Sequence, residues 1–351
     1  MRDALEFLCI AALPVVLGLA TLGFFRARVR GRERVGFFAL AVGNALLLLT
    51  LASAVLLAFE TQLRFFYDAS DGDNRTRVSR RWFERHWRGN SFGVRDDVDY
   101  ALRRAPGRRR ISFVGDSFTA GHGVANVAAR YPNLLRARHP EWEVHALAIP
   151  GLETPDETKL LRDLVVRGYV LDVVVLEYYV ENVGRFVPEL RKYFRALDRP
   201  MPQPLRFLME HSFALDTFAY RAQTRWMYAR GYWSDVYARA FAGEAWVAQQ
   251  AAFDRFRQLV ERNGGAFAVV TFPTLAGVEG RGAMLERIDA FWAQRSVPHL
   301  DLLPVYAPHP VRALAANPHD AHPSELAHRL AADAVEQFLV ERVLPGSSAP
   351  R

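Results

Sequence analysis

Two long apolar runs open the chain, and short apolar runs alternating with amphipathic stretches follow them. Leu5 to Phe25 is nearly uncharged after Glu6, and Val35 to Phe59 carries no charge at all. A membrane span needs about 20 predominantly apolar residues, and both runs qualify. Soluble helices of such length normally show a polar face, which neither run has. Pro14, Gly18 and Asn44 are tolerated inside spanning helices. Residues 1–63 are therefore predicted to form a two-helix transmembrane hairpin. Residues 64–107 are a polar, arginine-rich juxtamembrane lead-in with Trp82 and Trp87, placed either on the domain or at the membrane interface.

Beyond residue 107 the period changes. Ile111–Val114, Glu143–Leu147, Val173–Leu176, Ala266–Phe272 and Val297–Leu300 read as buried strands. Helical patterns fall between and after them, at Val127–His139, Pro155–Arg167, Ala245–Arg262, Met284–Arg295 and Glu325–Val343. Thr154 is the expected N-cap of the second, with Pro155 at its first position. Such alternation predicts a parallel sheet with helices on both faces, a three-layer α/β/α sandwich over 108–345. Residues 184–243 are too long for a plain connection and rich in Pro, Tyr and Trp. They predict a helical insertion over the functional loops, either forming a substrate pocket or packing on the core.

Charge orients the hairpin. Five arginines lie between Arg26 and Arg34, which marks that loop as cytoplasmic. Both termini and the folded domain then lie outside the cytoplasmic membrane, in the periplasm of a double-membraned cell. A cleaved signal peptide is a poor alternative, because only Arg2 precedes the first run and Phe24-Phe25-Arg26 is a poor cleavage site. The net charge is +7; those five arginines less Glu33 account for four of it, and the remaining three give little reason to expect nucleic acid. Arg108–Arg110 is expected to be a solvated strand entrance. Cys9 is the only cysteine and can form no internal disulfide. No His/Cys cluster has metal-site spacing, and no phosphate loop or dinucleotide fingerprint is present, so no metal or cofactor is expected.

Two motifs carry chemistry. In Ile111–Gly121 an apolar run ends in Gly115-Asp116-Ser117, delivering a serine to the end of a strand. Such a serine is either a nucleophile beside converging N–H groups or a helix N-cap. Near the C-terminus Asp320 and His322 precede a helix, where one loop can supply a base and its orienting carboxylate.

With these residues the chain resembles the SGNH (GDSL-type) hydrolase family over about residues 88–343. Gly115-Asp116-Ser117 is similar to the block that carries the family's nucleophile. Gly151 stands where a glycine N–H helps form the oxyanion hole, and Asn182 where an asparagine amide does so after a strand. Asp320 and His322 stand in the last block, and Asn90–Asp96 resembles the segment before the first strand in membrane-linked members. The chain departs from the family in Glu181-Asn182-Val183, where Gly-x-Asn-Asp is usual, and in Asp-x-His, where Asp-x-x-His is usual.

The resemblance implies a flavodoxin-like five-stranded sheet and a Ser117–His322–Asp320 triad. The Ser117 and Gly151 N–H groups and the Asn182 amide would form the oxyanion hole. It implies a serine esterase acting on acyl, foremost acetyl, esters of an envelope glycan or lipid. The alternatives are an O-acyltransferase for an exported polysaccharide, which would need a membrane acyl-donor partner, and a degenerate envelope binding module.

Overall fold

The structure is a computed structural model that describes residues 2–30, 36–71, 74–190, 201–228, 232–275 and 282–344. Its contacts divide the chain into two units, Met1–Trp82 with Pro200–Arg225, and Phe83–Arg199 with Trp226–Arg351. The lead-in is thus split, and part of the 184–243 insertion groups with the hairpin rather than with the sheet.

In the first unit, α1 (Arg2–Arg30) and α2 (Phe37–Thr61) pair side by side. Both are long and apolar enough to cross a membrane, each with a mean hydropathy of 2.3 over its most apolar stretch. The hydroxyls of Thr21 and Thr50 meet at 3.0 Å between them. Gly43 lets α1 approach closely, since a Cβ there would lie 2.8 Å from the Phe25 ring. Beyond α2 the helices Gln203–His211 and Phe213–Tyr228 join this unit. Glu60 is fully buried and holds the start of the second: its carboxylate accepts from Ser212 Oγ (2.7 Å), Phe213 N (3.1 Å) and Ala214 N (2.9 Å). This is an N-cap supplied from 150 residues away in sequence. The guanidinium groups of Arg64, Arg77 and Arg81 lie over the Phe213 ring at 4.5–4.9 Å.

The second unit is built on five parallel strands: β1 (Arg109–Gly115), β2 (Trp142–Ala148), β3 (Val173–Tyr179), β4 (Ala266–Phe272) and β5 (His299–Asp301). Their order is β2-β1-β3-β4-β5, the flavodoxin-like order. Side-chain alternation splits the core in two. Val114, Leu176 and Val269 face helices Thr154–Val166, Glu244–Arg262 and Gly282–Ala293. Ile111, Phe113 and Val175 face Tyr131–Arg138 and Glu325–Phe338. The sandwich therefore has helices on both faces. Local expectations change at two helix starts and in β5, which runs His299–Asp301 rather than Val297–Leu300. Thr154 is the first helical residue and Glu153 the N-cap. The helix expected from Val127 begins instead at Tyr131 after a short 3-10 turn, with Pro132 in its first turn.

Arg110 is not solvated, contrary to expectation. It is fully buried, bonded to Glu143 (2.9 Å) and to the carbonyls of Ala101, Leu102 and Arg103. Five donors on one planar group let an arginine replace water this completely. Trp87 packs on the domain, 4.8 Å from the Arg95 guanidinium.

Candidate active site

The strand ends place the expected residues on one rim of the second unit. β1 closes at Gly115, where any side chain would collide with Glu177 and Thr119. The chain then turns into the short helix Ser117–Ala120. Asp116 caps it: Oδ1 accepts from Phe118 N (2.9 Å) and Oδ2 from Asn182 Nδ2 (2.9 Å). Asn182 lies in a 3-10 turn after β3, so its amide reaches the nucleophile loop through Asp116. An amide carries two N–H donors, and Asp116 takes one. Gly151 is exposed in the turn after β2, with a left-handed φ of +79° that favours glycine. That turn is tied to β1 where Ile149 N donates to Gly115 O (3.3 Å).

The Asp/His segment is not the expected loop. Ala315–Asn317 and Asp320–Pro323 form a two-stranded antiparallel hairpin. Residues two apart on a strand share a face, so Asp320 and His322 point the same way. His322 Nδ1 lies 2.5 Å from Asp320 Oδ1, and Nε2 lies 2.9 Å from Ser117 Oγ. A carboxylate only accepts, which assigns the proton to Nδ1 and leaves the Nε2 lone pair for the serine hydroxyl. The structure thus brings Ser117, His322 and Asp320 into one hydrogen-bonded chain, 205 residues apart at its widest. The shortened Asp-x-His spacing is compatible with this geometry because a strand carries it.

His122 stands outside both sequence motifs. Its ring lies flat on His322, centroids 3.9 Å apart and planes 7° apart, with Nε2 3.5 Å from Asp320 Oδ2. Its backbone N–H donates to Ser117 O (2.9 Å). Burial, then the neighbouring His322, pull its pKa down to about 3, so the ring stays neutral near pH 7. A glycine-flanked histidine five residues after the serine is the only sequence signal for it. His122, Asp320 and His322 also place ligand atoms within 4.8 Å of one another, a spacing that suits a cation. Both nitrogens of His322 are engaged by Asp320 and Ser117, which favours the base-and-carboxylate reading of the set.

Arg95, in the Asn90–Asp96 segment, supports this loop. It is buried and donates to the carbonyls of Gly121 (2.6 Å), Val124 (2.7 Å) and Ala125 (3.1 Å). Beneath the serine, Glu177 Oε2 accepts from Asp116 N and Thr119 Oγ1, each at 3.1 Å. Burial, then the nearby Asp116, push the Glu177 carboxyl well above its ordinary pKa. A cleft of about 540 Å³ opens beside Arg95, Asp97, Asp99 and Asn126; none of the Ser–His–Asp side chains lines it.

No family model matches the chain, and no curated protein matches it. Among solved structures it is similar to TesA, at 14% identity over 66% of this chain and 98% of that one, with a TM-score of 0.42. It is also similar to a lipase/acylhydrolase from Enterococcus faecalis (16%, 66% and 95%, TM-score 0.38). A variant of Axe2, an acetyl xylan esterase from Geobacillus stearothermophilus, compares at 16%, 66% and 94%, with a TM-score of 0.40.

Proposed function

We propose that this chain is a membrane-anchored serine esterase of the SGNH type, acting on acetyl or other short acyl esters of an envelope glycan or lipid. The observation that carries the reading is the continuous chain from Ser117 Oγ through His322 to Asp320. In this mechanism His322 Nε2 takes the Ser117 proton as Oγ attacks the ester carbonyl. Asp320 stabilises the imidazolium that forms. The carbonyl oxygen becomes an oxyanion, received by the Ser117 and Gly151 N–H groups and the Asn182 amide. Collapse expels the alcohol, which takes the proton from His322 and leaves an acyl-serine. Water, deprotonated by His322, then releases the acid and restores Ser117. The two apolar helices serve as the anchor, and the five arginines between Arg26 and Arg34 orient it so that the sheet domain lies outside the cytoplasmic membrane.

The test is turnover of p-nitrophenyl acetate by the detergent-purified full chain. Ser117→Ala and His322→Gln should each lose roughly 10³-fold or more. Asn182→Ala should lose about 10²–10³-fold, the usual cost of one oxyanion donor. Undiminished turnover by Ser117→Ala would sink the reading. A glycan acceptor in the assay separates hydrolysis from acyl transfer: an esterase releases free acetate even with the acceptor present.

A further inference from the structure

The helix Gln203–His211 has an apolar face turned to solvent. At 100° per residue Leu205, Leu208 and Met209 share one side. Arg206 and Glu210 hold the other, bonded to each other at 2.7 Å. On the apolar side Leu205 and Leu208 are 44% and 49% exposed. The helix is fixed at the end of the hairpin where its apolar surface stops: Arg64 Nη2 donates to His211 O (3.1 Å), Arg77 Nη1 donates to Glu210 O, and Ser212 is bonded to Glu60. At that same level Phe65 and Phe66, in the turn that follows α2, are 54% and 71% exposed. An amphipathic helix continuous with the apolar flank of a spanning pair is suited to lie in the headgroup–acyl boundary.

We infer that Gln203–His211, with Phe65 and Phe66, seats in the outer-leaflet interface of the membrane that the hairpin crosses. The occupant of this face is lipid. The inference rests on the reading of α1 and α2 as spans. A seated helix would fix the hairpin's depth and pin the helix Phe213–Tyr228, which Glu60 caps, close to the membrane surface.

Depth-dependent quenching tests this in the full chain. A Cys9→Ser background receives one cysteine at a time, Leu208→Cys, Leu48→Cys or Val166→Cys, labelled with an environment-sensitive fluorophore. The protein is reconstituted in phosphatidylcholine/phosphatidylglycerol vesicles with nitroxide at a shallow or a deep acyl position. The shallow nitroxide should quench the position-208 label at least twofold and more than the deep one. The position-48 label should respond more to the deep one, and position 166, exposed in the sheet domain, to neither. Quenching at 48 with none at 208 overturns the inference and leaves the anchor standing. A blue-shifted but unquenched label at 208 also overturns it, since a second protein copy would then cover the face. No quenching at either position overturns anchor and inference together. Quenching at 208 alone removes the span and overturns the inference as well, since the helix would then bind a bilayer that the hairpin does not cross.

Discussion

Two buried side chains near the serine lead to predictions that do not depend on the substrate. The flat contact between His122 and His322 limits rotation of the base without giving it a charge to compete with. His122→Ala should therefore lower kcat roughly tenfold, about 1.4 kcal/mol, with KM little changed. His122→Phe keeps a flat ring and should recover most of that loss, whereas equal rates for His122→Ala and wild type would show that the stack does nothing. Glu157 is different: it is fully buried in the helix Thr154–Val166, and neither carboxylate oxygen has a hydrogen-bond partner among the described residues. Burial, then the nearby Asp116, push its pKa well above 4.5, so the fold keeps it protonated. The unfolded chain releases that proton above about pH 4.5, so the folded state binds more protons and stability falls as pH rises. Replacing the carboxyl by Glu157→Met removes both the unpaired oxygens and this slope. The gain in urea-unfolding stability should be larger at pH 7.5 than at pH 5.5 by up to about 3 kcal/mol. A gain independent of pH would mean that Glu157 is already ionised in the fold.

At the scale of elements, what was legible followed from apolar periodicity. β3 and β4 are visible because Val173–Leu176 is an unbroken apolar run and Ala266–Phe272 is apolar but for Thr271. The ends of β1 and β3 are not, because Arg110 and Glu177 are charged residues buried within strands, where Arg110 bonds Glu143 and one Glu177 oxygen accepts from Asp116, both far away in sequence. The hairpin that carries the base was hidden for another reason: Ala315–Asn317 and Asp320–Pro323 are too short and polar to show a period of two. The chemistry of Asp-x-His could be read there, but not the strand that makes the spacing work. A double change tests that strand. Asp320→Ala with Ala321→Asp moves the carboxylate one residue along, onto the opposite face. Activity should be no better than in Asp320→Ala alone. Rescue by the shifted acid would mean that the segment behaves as a flexible loop.

For the molecule as a whole, the two long apolar helices are plain from composition, but the grouping of Pro200–Arg225 with them is not. Nothing local marks Glu60 as a cap, because its partners Ser212, Phe213 and Ala214 lie more than 150 residues on. The aromatic content of 184–243 leaves a substrate pocket and packing on the core equally open, and of these residues Phe213 belongs to a cluster with Leu63 and Val78. This has a consequence for cutting the protein. A chain starting at Phe83 keeps the whole sheet and every side chain of the proposed triad, but leaves the helix Phe213–Tyr228 without its partners. The loss is about 1 kcal/mol for the cap and about 2–3 kcal/mol for the burial of Phe213. That chain should aggregate on gel filtration and be cut by protease within 201–228. A companion that also replaces 200–225 with a short Gly/Ser bridge should run as a discrete species and retain p-nitrophenyl acetate turnover. If the simple truncation is as soluble and protease-resistant as the companion, then Pro200–Arg225 does not depend on the hairpin for its fold, and the contact grouping has no energetic weight.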